Sequence, residues 1–180
     1  MATTLASDIA FTQLSMRTKK AILGQCLFLT FALAIPSLTH SLGYHYLYAL
    51  PMHWMVLFAG LTYGPISGMI LGIAIITASY LLVGMPVSMD LPLMIPEMAV
   101  YGLITGLLKK KVTAFCSLAV GMIAGRIVYS ILFSFTGRLI AYRSIFEFVE
   151  MIWGPGLATA ILQIAFLPLL SGLYINWIKD

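Results

Sequence analysis

Apolar residues run in long blocks along this chain, and polar residues gather in the short gaps between them. The blocks predict helices at about 21–42, 51–63, 66–84, 92–108, 113–135 and 152–177. A membrane-crossing helix needs roughly 20 mostly apolar residues, so the pattern describes an all-α membrane protein, a bundle of six transmembrane helices. The second block is short, about 20 Å at 1.5 Å per residue. Residues 1–20 form a mildly amphipathic segment at the membrane surface, and 21–180 form the helical domain. Polar gaps fall at about 41–50, 85–91 and 136–150, and Trp153-Gly154-Pro155-Gly156 opens the last block.

Gly60, Gly64, Gly68 and Gly72 fall on a strict four-residue spacing inside one apolar stretch. In lipid, helix association rests on close packing, and glycine lets backbones approach. Pro65 interrupts the ladder, so two helices meeting at a tight turn near Tyr63–Ser67 are expected, not one continuous helix. Gly102-xxx-Gly106 and Gly121-xxx-Gly125 give the fourth and fifth helices small faces as well. These faces serve either packing inside the bundle or docking of another membrane subunit.

Composition agrees with the pattern. Of 180 residues, 61% are hydrophobic and 9% charged, against about 25% charged in soluble domains. The net charge of +4 is not a nucleic-acid signature, because the cations flank apolar blocks. Arg17, Lys19, Lys20, Lys109, Lys110, Lys111 and Lys179 share one side of a six-crossing bundle, and Arg138 and Arg143 the other. The positive-inside rule then puts both termini in the cytoplasm. No cleavable signal peptide is expected. Cys26 and Cys116 lie in apolar blocks without metal-ligand spacing and are expected to be packing residues. There is no GxxxxGK[ST] loop, so any ATP consumed must be hydrolysed by another subunit. GxSxG and HExxH are also absent, and no enzyme activity, bound cofactor or metal is expected.

Ionisable groups inside a span are costly and tend to face a cavity, a partner or a substrate path. Glu97 falls about 9 Å in from the Leu91 end of the fourth block, and Arg126 about 14 Å in from the Phe135 end of the fifth. Adjacent antiparallel helices therefore bring opposite charges to similar depth. They form a structural ion pair, a site for a polar cargo, or both. An arginine fork suits a carboxylate or phosphate. Tyr101, Tyr129, Trp153 and Gln163 are candidates for the walls of such a pocket, and Asp90, His40, His53 and Trp54 for its rim. His40, His45 and His53 gather near one end of the first two helices, where they are interfacial hydrogen bonders or ligands for haem iron. Tyr44, Tyr46, Tyr48, Trp54 and Trp153 form either an interfacial belt or stacking walls.

Four strings carry a family resemblance: Leu50-Pro-Met-His-Trp-Met-Val-Leu-Phe-Ala-Gly60, Tyr63-Gly-Pro-Ile-Ser-Gly68, Pro96-Glu-Met-Ala-Val-Tyr-Gly102 and Ala124-Gly-Arg-Ile-Val-Tyr129. Over about residues 20–178 the chain resembles the substrate-binding S components of energy-coupling factor (ECF) transporters. The resemblance implies a subunit of the prokaryotic plasma membrane that captures one small vitamin or micronutrient outside the cell. A coupling membrane subunit and two ATPases would drive its release. The cargo site would lie among the fourth to sixth helices, under the three polar gaps. Such proteins often carry an AxxxA stripe on the first helix; here Cys26-xxx-Thr30-xxx-Ala34 is looser. Haem remains an alternative cargo, and a structural membrane subunit or a stand-alone carrier are alternative roles.

Overall fold

The computed structural model describes residues 13–15, 19–41, 51–84, 86–137 and 144–179. The described residues form six helices, with no strand among them: α1 Lys19–Ser41, α2 Pro51–Tyr63, α3 Pro65–Val83, α4 Leu91–Lys109, α5 Ala114–Ser134 and α6 Ile145–Lys179. Among the described residues four segments are long and apolar enough to cross a membrane: Pro65–Val83, Leu91–Lys109, Ala114–Ser134 and Gly156–Ile178. At 13 residues α2 reaches only about 20 Å, less than a hydrocarbon core of about 30 Å.

The burial pattern is that of a bundle in lipid. On α3 the buried positions include Ser67, Gly68, Gly72 and Ser79, while Ile66, Ile70, Leu81 and Leu82 are exposed. On α6 the buried stripe is Thr159, Gln163, Leu167, Ser171 and Ile175, one residue per turn, and Leu157, Ile161, Phe166, Leu169 and Leu173 face outward. The small and polar residues of these helices turn in alongside Leu71, Ile75, Ile76, Leu167 and Ile175, while the outward faces are almost wholly large and apolar.

The glycine ladder is spent inside the bundle. α2 ends at Tyr63 and α3 begins at Pro65, with Gly64 between them at φ 97°, a backbone angle that suits glycine. Pro65, at the first position of α3, gives up an N–H that would have no helical partner there. A Cβ on Gly60 or on Gly68 would stand 2.7 Å from the Gly102 carbonyl oxygen, and one on Gly106 would run into the Gly64–Pro65 backbone. Thus α2 and α3 close on α4 backbone to backbone. Gly121 and Gly125 repeat the device on the other side, against Thr105 and Tyr101 of α4. Helix α4 is therefore the central element, packed on α2, α3 and α5, while α6 leans on α5 and α2 over smaller contacts. The core between them holds Val56, Leu57, Ile75, Ile76, Met98 and Leu118, all fully buried.

One element starts elsewhere than the sequence suggested. Helix α6 begins at Ile145, not near 152, so Glu147 and Glu150 stand on its first turns and not in a loop. Its start is set by Ser144, whose Oγ accepts from the Glu147 N–H at 3.2 Å, and Trp153-Gly154-Pro155-Gly156 lies inside the helix. Of the amphipathic N-terminal segment, Gln13 and Leu14 are described. Gln13 Nε2 donates to the Gly106 carbonyl at 2.8 Å and Leu14 N to the Thr62 carbonyl at 2.7 Å, tying the segment to the ends of α2 and α4. Cys26 and Cys116 are exposed on the outer surface and are not the packing residues expected. Residues 42–50, with His45 and the three tyrosines, and Arg138 and Arg143 lie outside the described residues.

The packing makes a contrast that thermal unfolding can check. Gly102→Ala drives a methyl into the α3 backbone and should cost about 2–3 kcal/mol, at the upper end of overpacking. Gly154→Ala meets nothing closer than 4.0 Å on an exposed helical position. It should be neutral or gain up to about 1 kcal/mol from helix propensity. Equal losses in the two variants would contradict the backbone contact.

Candidate substrate site

Glu97 lies on the face of α4 turned away from the α3 contact and is 1% exposed. One turn on, Tyr101 donates its hydroxyl to Glu97 Oε1 at 2.8 Å. Arg126 reaches the same oxygen from α5, with Nη1 at 3.1 Å. The ion pair expected from the depth of the two residues is therefore formed. A buried carboxylate is tolerable only when paired and hydrogen-bonded, and here it is both. Gly125, next to Arg126, leaves the space that the Tyr101 ring occupies. The Arg126 guanidinium carbon stands 5.8 Å from the centre of the Tyr129 ring, which stacks at 6.1 Å on Phe133.

Beside this cluster lies a cavity of about 220 Å³ between α5 and α6, closed on one side by α2 and α4. Its polar lining is His53, Tyr101, Arg126, Trp153 and Gln163. Its apolar walls are Ala119, Met122 and Ile123 of α5 and Leu157, Ala160, Ile161 and Ile164 of α6; Ile123, Leu157 and Ile161 are about half exposed or more, so on that side the cleft opens to the surface of the bundle. His53 packs on Tyr101, ring centres 5.3 Å apart. Both His53 ring nitrogens and Gln163 Nε2 are buried with no hydrogen-bond partner among the described residues. Buried polar atoms are nearly always paired, and Gln25 Nε2, Ser67 Oγ and Thr105 Oγ1 are further exceptions among the described residues, away from this cleft.

The structure thus gathers His53, Tyr101, Arg126, Trp153 and Gln163 on one cavity, with Glu97 directly behind Arg126. It does not bring the other candidates to that wall. Tyr129 sits beneath the guanidinium and supports it. Asp90 is the N-cap residue of α4, its carbonyl accepting from Leu93 N and Met94 N. Trp54 faces a second, wider cleft of about 730 Å³ between α1, α2 and α6, lined almost wholly by apolar side chains. His40 lies outside the described side chains. The apolar wall was not foreseen, although Trp153, Leu157, Ala160 and Ile164 fall on one helical face by their spacing alone. Among the described residues no group of three or more His, Cys, Asp or Glu side chains gathers that could hold a metal ion.

Charge pairing at the site predicts an asymmetric mutational response. Arg126→Leu strands the Glu97 carboxylate in the interior and should cost about 3 kcal/mol or more in detergent unfolding. Adding Glu97→Gln in the same chain should restore most of that loss. A double variant no better than the single one would show that the pair is not what stabilises this region.

The family model for "ECF transporter, substrate-specific component" matches residues 21–172. No curated protein and no solved structure matches the chain. The match begins at the third residue of α1 and ends in the last turns of α6, so it takes in both the glycine-packed helices and the cavity walls. Proteins of this kind are transporter subunits that bind a substrate in the membrane and work with a partner ECF module; they are not an enzyme family. By the span of that match, the chain belongs to the family of substrate-specific components of ECF transporters.

Proposed function

We propose that this chain captures a small polar micronutrient, a vitamin or a relative of one, at the outer face of a prokaryotic plasma membrane. It would hand the cargo inward through a coupling membrane subunit driven by two ATPases. The observation that carries this reading is the cleft between α5 and α6, whose lining sets Arg126 beside His53, Trp153 and Gln163. The charge pattern supports six crossings with both termini inside, in which the short α2 and α3 meet at Gly64. In that arrangement Arg126 and Glu97 lie in the outer half of the bundle. A dry cavity of about 150 Å³ takes up benzene, so the space of about 220 Å³ suits a single substituted ring.

Two measurements test the proposal. Mass spectrometry of small molecules released from the purified protein should find one enriched compound. Added back at a hundred times its Kd, that compound should stabilise the fold by about 2.7 kcal/mol in thermal unfolding. His53→Ala should abolish the stabilisation while the unliganded protein still folds. A broad micronutrient panel that leaves the melting temperature unmoved, with nothing co-purifying, would overturn capture in favour of a structural role.

A further inference from the structure

The polar atoms that meet the cavity are not balanced between donors and acceptors. Arg126 carries five N–H donors and no acceptor, and Glu97 takes up one of its nitrogens. The Gln163 side-chain amide both donates and accepts, and a neutral imidazole at His53 donates through one nitrogen and accepts through the other, so the excess of donors comes from Arg126. The negative charge is hidden. The Glu97 side chain is 2% exposed and the Arg126 side chain 20%, and Glu97 does not line the cavity while Arg126 does. A guest therefore meets a cation and an excess of donors, with a compensating carboxylate out of reach behind them. The remaining walls are apolar side chains of α5 and α6 and the face of Trp153.

We infer that the cargo is a single-ring monocarboxylic acid whose carboxylate binds Arg126 in competition with Glu97, so that Glu97 is a positioning residue setting how readily the cargo leaves. The inference rests on the reading of this cavity as the cargo site. The volume of about 220 Å³ holds one ring and a few further atoms. The carboxylate accepts from the outward N–H groups of Arg126. The ring stacks among Trp153, Leu157 and Ala160, and its polar edge meets His53 and Gln163. Glu97 repels the incoming carboxylate and draws on the same guanidinium. Both effects weaken the hold. A capture subunit needs that restraint, because a cargo bound by an unopposed buried cation would not be released.

The experiment is calorimetric titration and thermal unfolding of the full purified chain with five probes. Two are acids, benzoate and pyridine-3-carboxylate. Two are their amides, and one is a cation, benzylamine. The acids should bind, the amides about tenfold or more weaker, and benzylamine not at all. Glu97→Gln keeps an acceptor for Tyr101 and Arg126 while removing the charge, and should tighten acid binding by about tenfold. Arg126→Lys keeps the charge but loses the fork, and should weaken the acids by about tenfold while sparing the amides. Circular dichroism of both variants reports whether they fold. Weaker or unchanged acid binding in a folded Glu97→Gln protein would overturn the role given to Glu97. Preference for amides or for benzylamine would overturn the acid class. Should none of the five bind while a co-purified compound of another class stabilises the protein, the acid inference fails and the capture reading stands. Should no small molecule bind at all, both fail.

Discussion

The backbones of α3 and α4 come together at Gly68 and Gly102 with no room for a side chain between them. Everything at the cavity depends on it. With no side chain between them, the two helices have one register and one rotation available. On α4 that contact uses the face carrying Met98, Gly102 and Gly106, so the neighbouring face with Glu97 and Tyr101 must turn toward α5 and α2. Glycine on α5 then lets Tyr101 lie flat enough for its hydroxyl to reach Glu97. A bundle packed through leucines would tolerate small rotations of α4, and a rotation of one residue would carry the carboxylate out to lipid.

That rotation would be prohibitive because of the charge. A carboxylate with 1% exposure in an apolar bundle needs its partners in place. Glu97 has two within hydrogen-bond distance, Tyr101 and Arg126, and Arg126 has a third contact in the face of Tyr129. The cluster neutralises itself as seen from far away. Seen from the cavity it does not, because the arginine stands in front. Net neutrality keeps the bundle stable, and local polarity gives it something to bind with.

Much of this was legible in the sequence, and the failures have physical reasons. Glu97 and Arg126 could be matched because depth along a helix is linear in residue number and both ends were marked by polar gaps. The break at Gly64–Pro65 was legible for the same sort of reason, since it is local chemistry. The partner of the glycine ladder was not, because a small stripe fits an internal neighbour or an external one equally well. The start of α6 was misplaced because Gly154-Pro155-Gly156 weighed more than the capping box Ser144-Ile-Phe-Glu147, which stood in plain view. Trp54 and Tyr129 turn to neighbours other than the cleft, and no periodicity in apolar residues specifies which way one aromatic ring points within a crowded bundle.

The location of the cavity follows from an asymmetry in how the helices are held. α2 and α3 meet α4 backbone to backbone through glycines, and α5 meets it with glycines that seat the Thr105 and Tyr101 side chains. α6 carries no such contact to α5. It meets α5 and α2 through branched and aromatic side chains over a smaller area, with a second cleft on its other flank. Displacing α6 costs fewer contacts than displacing any helix of the glycine-packed group. Arg126 stands on the α5 wall of the cleft, and Trp153 and Gln163 stand on the α6 wall. The cleft therefore lies between a helix packed closely on α4 and one held by fewer contacts.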